Sequence, residues 1–378
     1  MKYQKIHQLI DWCIIAIFLF FIVTTMTTAA LRIKFTYIAP LGLFIALCLL
    51  FLNQISLKDC FYKKDVEFYL LCFGIFLAGV NIMLIGSNLG AFFTIADFLL
   101  ILYLANKIHL DNIQLGTIAF SCILVLFYWL FINKETYDNS ISNPNVASLI
   151  IFTSFCVCIS FLVYCLSSFS LSKWTYHIAI LIIFYIVTKR ILSLHCRGVL
   201  LAIIAWAGTY YILPKKKFTI SLILGFSLLM PVVYVLLWKS GLVDGVTVLG
   251  KKFASGRDII WYEFFKVFIH HPITGIGSNF DVMIPDLYLK EVHHGLLDLL
   301  FVHGIPVFLI VLYFMYKRIS EVITSSFDSI KGICLASIYG LIVSGSFENH
   351  YIVSPYNILL MTIFMISHHA ESNKQKSE

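Results

Sequence analysis

Twelve apolar stretches recur along this chain, at about 9–29, 36–53, 67–86, 90–106, 113–132, 145–167, 174–188, 197–213, 218–238, 296–316, 330–347 and 353–369. A helix that crosses a bilayer needs about 20 predominantly apolar residues, and most of these windows reach or approach that length. The fourth, seventh and twelfth are short. No soluble domain fits between them, and no internal sequence repeat is visible. Composition points the same way. Of 378 residues, 60% are hydrophobic and 12% charged, with a mean hydropathy of +0.91. A soluble domain carries roughly 25% charged residues. The 34 Phe and 20 Tyr suit helices that face acyl chains and headgroups. The expected fold class is an all-α integral membrane protein, a single polytopic domain over 1–378 with about 12 transmembrane helices.

The net charge of +7 does not indicate nucleic acid, because the basic residues lie between apolar runs rather than in one patch. They report orientation instead, since cytoplasmic loops carry the excess of Lys and Arg. With the N-terminus inside, 15 basic residues fall in cytoplasmic connections, among them Lys63, Lys64, Lys107, Lys317, Arg318 and Lys331. The short outside connections hold 6: Arg32, Lys34, Lys134, Lys189, Arg190 and Arg197. Both termini are therefore expected in the cytoplasm. The run from Leu9 to Thr28 lacks a small-residue cleavage site and reads as a retained helix. Most of the ten cysteines lie in apolar runs and read as small hydrophobes, with no metal-site spacing.

One connection is long. Residues 239–295 cannot be a span, and the topology puts them outside as a loop containing short helices. Its own six basic residues do not oppose that orientation, because long loops translocate largely regardless of charge. A loop of that length in a compact protein is usually functional or disordered. The segment Asp258-Ile-Ile-Trp-Tyr-Glu-Phe-Phe-Lys-Val-Phe-Ile-His270 is amphipathic and aromatic, and reads as a helix on the membrane surface.

Polar residues with chemical capacity gather at this same face. Arg197, in Cys196-Arg-Gly-Val, is either an interfacial anchor or a cationic socket whose planar fork suits two phosphate oxygens. Arg257, in Ser255-Gly-Arg-Asp, is ordinary as a single loop arginine. Gly275 and Gly277, in Pro272-Ile-Thr-Gly-Ile-Gly, allow a sharp turn or a close approach to a ligand. His293 and His294 open the tenth window; a neutral imidazole there suits general-base work, and simple interface histidines are the alternative. Their adjacency disfavours a two-histidine metal site. Asn143-Pro-Asn145 reads as a turn with an N-cap, and Glu348-Asn-His350 either lines the same cavity or faces water. Acidic pairs such as Asp-x-Asp are absent from the first outside loops, which argues against a transferase that binds metal there.

Taken together, these elements resemble the O-antigen ligase and O-antigen polymerase family of bacterial envelope glycosyltransferases. The matching residues, in order, are Asn143-Pro-Asn145 with Ala147, Arg197-Gly198, Ser255-Gly-Arg-x-x-x-Trp261, Pro272-x-x-Gly-x-Gly277, and His293 with Gly304 eleven positions later. The resemblance covers about residues 140–350. The family usually has Asn after the histidine, where this chain has His294.

What the resemblance implies is a GT-C-like membrane glycosyltransferase in the bacterial inner membrane, acting on the periplasmic face. The donor would be an oligosaccharide on undecaprenyl diphosphate, and the acceptor a hydroxyl of a glycan or of lipid A core. Transfer would proceed with inversion and without a metal or other cofactor. His293 would act as base, Arg197 and Arg257 would hold the diphosphate, and His294, Asn145, Gly275, Gly277 and Glu348 would be candidate pocket residues. The long loop is shorter than in many ligases of the family, which points to the polymerase; a chain-length regulator is a candidate partner. A flippase or transporter is the competing class. Such proteins usually carry their functional polar groups at the membrane midplane, where Asp97 is the main charge here.

Overall fold

The structure is a computed structural model, and it describes residues 2–27, 38–133, 143–167, 173–243, 246–248, 251–252, 256–279, 282–284, 287–289, 292–324 and 329–375. Ser255, Arg32, Lys34, Lys134 and Lys290 lie outside the described residues. Helices α1 (Lys2–Thr27), α2 (Ile38–Gln54), α3 (Leu57–Tyr62), α4 (Val66–Ile85), α5 (Leu89–Leu104) and α6 (Asn112–Phe127) come first. α6 runs on into a π turn, Tyr128–Ile132. Then follow α7 (Pro144–Ser167), α8 (Lys173–Ser193), α9 (Arg197–Tyr211) and α10 (Phe218–Lys239). The long connection holds two two-stranded ribbons, β1 (Thr247–Val248) with β2 (Lys251–Lys252) and β3 (Val282–Ile284) with β4 (Leu287–Leu289). Between the ribbons lies α11 (Arg257–Phe268). The chain closes with α12 (Gly295–Thr324), α13 (Ser329–Ser344) and α14 (Tyr356–Gln375).

Each of the twelve apolar windows coincides with a helix. Among the described residues, six helices are long and apolar enough to cross a membrane: Lys5–Thr27, Val66–Ile85, Asn112–Ile132, Pro144–Ser167, Phe218–Lys239 and Gly295–Ile323. Three shorter ones, α2, α5 and α13, are also apolar. Outward faces carry large exposed hydrophobics, such as Phe73, Phe76 and Met83 on α4 and Leu181, Ile182 and Tyr185 on α8. Apolar surface on that scale is consistent with a helical membrane protein.

Helix α13 runs through the centre, and every residue from Ile330 to Ser344 is buried. It packs along α9 and α7, where small residues and hydroxyls replace bulk. A Cβ on Gly340 would stand 2.7 Å from the Phe152 ring and 3.3 Å from the Ala202 carbonyl oxygen. Trp206 Nε1 donates to Ser337 Oγ at 3.2 Å, and Ser337 meets Ser160 at 3.3 Å. Close backbones with interhelical hydrogen bonds are how helices associate where burial of apolar surface supplies no drive.

Several charges assigned to connections lie inside helices. Lys317 and Arg318 belong to α12, and Arg318 is fully buried, paired with Glu67 of α4 and, at 2.9 Å, with Glu321. Lys331 is buried in α13. Arg190 lies within α8 and donates from Nε to the Trp129 carbonyl at 3.0 Å. A count of charges along the sequence treats such residues as loop signals, although they lie within helices.

The long connection is docked onto the bundle. α11 buries Ile260, Trp261, Phe264 and Phe268 against Val235 of α10, Ile276, Val292, and Leu297 and Phe301 of α12. Its apolar face therefore meets protein, where the sequence suggests a membrane surface.

Candidate functional site

Four segments far apart in sequence meet at the carboxylate of Glu348, in the connection between α13 and α14. Arg257 Nη2 donates to Oε1 at 2.7 Å, and His293 Nδ1 meets Oε2 at 2.9 Å. Asn145 Nδ2 donates to Oε1 at 3.4 Å. The Glu348 side chain is only 12% exposed.

Local sequence explains each placement. Pro144 opens α7, and Asn143 caps it by accepting from Asn145 N–H at 3.0 Å, so the Asn145 side chain projects from the first turn. Gly256 stands at φ +86°, a conformation that glycine adopts without strain, and lets α11 start with Arg257 at its first position. Asp258 accepts from Gly256 N–H at 3.1 Å; its burial raises the carboxyl above the usual range against the N–H bonds that lower it. One turn on, Trp261 Nε1 donates to the Val292 carbonyl at 2.8 Å. That bond fixes the residue before His293 to the helix that carries Arg257, so the imidazole and guanidinium are held in one frame.

His293 stands at φ +52°, uncommon for a residue other than glycine, and such strain concentrates at functional sites. The backbone twist sends the two histidines apart. His294 is fully buried: Nε2 donates to the Ser227 carbonyl at 2.8 Å, and Nδ1 accepts from Leu297 N–H at 3.2 Å. Both ring nitrogens are occupied, and burial lowers its pKa to about 4. His294 is thus an anchor beneath the site. For His293, an Nδ1–H donated to Glu348 leaves Nε2 as the basic nitrogen, the orientation that a carboxylate imposes on a catalytic imidazole.

Burial alone would push Glu348 up. The His293 bond, Arg257 and more distant His350 outweigh it and hold the carboxyl below its ordinary value. His350, fully buried in the same connection, is pushed down to about 4, chiefly by desolvation. The Arg257 guanidinium keeps one unmet demand, because its Nε is buried without a hydrogen-bond partner.

Arg197 is the first residue of α9. Its neighbour Gly198 lies against Phe347, which precedes Glu348; a Cβ there would stand 2.7 Å from Phe347 Cβ. The preceding Cys196 thiol, raised mainly by burial, is also within electrostatic reach of Glu348 and Arg257. Arg197 and Arg257 therefore both begin helices at this corner, where the positive ends of helix dipoles add to their charge.

Gly275 approaches α12 and Gly277 approaches the connection between α4 and α5, rather than open space. A Cβ on Gly275 would stand 2.5 Å from the Val302 carbonyl oxygen and 2.7 Å from the Gly304 nitrogen. Ile276 N–H donates to Phe301 O at 2.7 Å, and Ile305 N–H donates to Pro272 O at 2.9 Å. Gly304, at φ +77° and ψ 173°, breaks α12 to receive this strap. A Cβ on Gly277 would stand 2.7 Å from Ser87 Oγ, between α4 and α5. The sequence reads these glycines as allowing a sharp turn or a close approach to a ligand, and their close approach is to α12 and Ser87.

No protein-family model matches the chain, and no curated protein matches it either.

Proposed function

We propose that this chain is a membrane glycosyltransferase that moves a glycan from undecaprenyl diphosphate to an acceptor sugar hydroxyl, in the manner of an O-antigen polymerase. The observation that carries the reading is the Glu348 carboxylate shared by the Arg257 guanidinium and the His293 imidazole. In this reading His293 Nε2 takes the proton from the acceptor hydroxyl as its oxygen attacks the anomeric carbon. The bond from that carbon to the diphosphate oxygen breaks with inversion, and the electron pair leaves on the diphosphate. Arg257, with its unpartnered Nε, and Arg197 at the start of α9 would stabilise that developing charge. The proposal includes twelve crossings, cytoplasmic termini and this corner on the extracytoplasmic side of a bacterial inner membrane.

The test is genetic and biochemical. Arg197→Ala, Arg257→Ala and His293→Ala should each abolish long-chain glycan on a silver-stained gel while the protein still inserts. Wild-type banding from His293→Ala would overturn the base assignment. A deletion strain that leaves single-repeat lipid A core supports the polymerase, and bare core marks a ligase. Glycan transfer by the purified protein in detergent, with no second compartment, separates an enzyme from a transporter.

A further inference from the structure

Asp97 sits in the middle of α5 and is fully buried. One carboxylate oxygen, Oδ2, accepts from Ser354 Oγ at 2.7 Å. The other, Oδ1, is buried with no hydrogen-bond partner. Beside it Asn357, also fully buried, donates from Nδ2 to the Ile352 carbonyl at 3.2 Å and to the same Ser354 Oγ at 3.4 Å. Those donations fix the amide, since a flipped amide would set Oδ1 against the Ile352 carbonyl oxygen. Asn357 Oδ1 is left without a donor as well. Two residues that share one hydroxyl thus each keep a buried oxygen without a hydrogen-bond partner.

Unsatisfied buried acceptors are costly, and a buried carboxylate without a counter-charge more so. Among the described residues Asp97 has no ion pair, and its titratable neighbour on α2, Cys48, is a thiol. We propose that Asp97, Ser354 and Asn357 form a binding site for a single monovalent cation, Na⁺. The donors are hard oxygens from a carboxylate, an amide and a hydroxyl, which suit an alkali or alkaline-earth ion. Among the described residues no group of three His, Cys, Asp or Glu could hold a transition metal. One negative charge is neutralised by one positive charge, whereas Mg²⁺ or Ca²⁺ would leave a net charge in the bundle. The bound ion would tie α5 to the connection that presents Glu348, through Ser354.

The experiment follows thermal unfolding of the full-length protein in detergent as NaCl replaces choline chloride at constant ionic strength. The midpoint should rise by a few degrees and saturate, as expected for a ligand that binds only the folded state. Asp97→Asn, which keeps an oxygen for Ser354, should lose the Na⁺-dependent rise, and Asn357→Leu should reduce it. A wild-type midpoint indifferent to Na⁺ would overturn the proposal, and a midpoint that also falls as pH is raised would assign a proton to Asp97. If neither variant accumulates, the wild-type titration decides alone. The readout is binding, so loss of the transferase reading leaves it standing, and its own failure leaves that reading intact.

Discussion

Arg257 donates to Glu348 at 2.7 Å across 91 residues of sequence, and this contact ties the docked α11 to the end of α13. Removing one partner of a buried pair costs about 3–5 kcal/mol, because the other charge is left uncompensated. Glu348 keeps His293 and Asn145 when Arg257 is removed, so Arg257→Ala should fall at or below the low end of that range. Residues in one such network do not act additively, with coupling energies of about 0.5–3 kcal/mol. The Arg257→Ala/Glu348→Ala double variant should therefore be less destabilised than the sum of the single variants. Unfolding midpoints of the four proteins check this, and strict additivity would mean that the contact carries no coupling.

Glu348→Gln removes the charge while keeping the size of the side chain. The amide is of similar size, but its rotamer can present N–H to His293 and so favour the wrong tautomer. Loss of the carboxylate behind a catalytic imidazole costs up to ~10⁴ in rate in the best-studied triads. On the proposed reading, the rate of glycan transfer should fall by up to ~10⁴. The pH dependence of stability has a definite sign. A carboxyl whose pKa is lowered by folding stabilises the protein above the unfolded value and loses that stabilisation as pH falls through the folded value. Wild-type unfolding should steepen below about pH 4.3, the ordinary glutamate value, and Glu348→Gln should flatten that limb.

The buried histidines act over a different pH window. Folding lowers His294 and His350 to about 4. The unfolded chain therefore binds more protons than the native protein between about pH 6.5 and 4, and stability must fall as pH drops across that range. For one histidine the full loss is on the order of 3 kcal/mol. Replacing His294 with Gln should weaken the pH dependence between 6.5 and 4 while lowering stability at neutral pH through the lost bond to Ser227. Melting curves across that range would show both effects, and an unchanged slope would contradict a neutral, buried His294.

Helix positions were legible because apolar runs of membrane length have few alternatives, and each of the twelve windows carries a helix. Arg257 and His293 were legible as polar groups on one predicted face. The hub was not. Glu348 has no local signature, and it gathers partners 55, 91 and 203 residues away. The roles of the two histidines also depended on geometry, since a left-handed His293 sends adjacent side chains to different partners. Nor did the sequence show the docking of α11, because an amphipathic face fits a bilayer surface and a protein surface equally well.

Gly275 and Gly304 meet backbone to backbone, and both have positive φ. A side chain at either position would combine a left-handed penalty of about 1–2 kcal/mol with contact against a fixed carbonyl or amide. Gly275→Ala and Gly304→Ala should therefore lower the amount of folded protein recovered from membranes. Gly86 also has positive φ, at 72°, but a Cβ there would meet nothing within 4 Å. Gly86→Ala should cost only the backbone term. Equal recovery of all three variants would show that the strap does not depend on this approach.

Arg318 gives a prediction away from the candidate site. Its side chain is fully buried between Glu67 and Glu321, while Lys317 shares Glu67, so two cations balance two carboxylates at the meeting of α4 and α12. Arg318→Leu leaves one cation for two carboxylates. Glu67 retains Lys317, whereas Glu321 loses the guanidinium that meets it at 2.9 Å. Because Glu321 is partly exposed, the cost should lie near ~3 kcal/mol, the low end for a broken buried pair. Adding Glu321→Gln restores charge balance and should recover part of the loss. Adding Lys317→Leu instead should deepen it, because Glu67 then loses both of the cations that meet it. Unfolding midpoints in the opposite order would show that packing of the guanidinium, rather than its charge, holds α12 to α4.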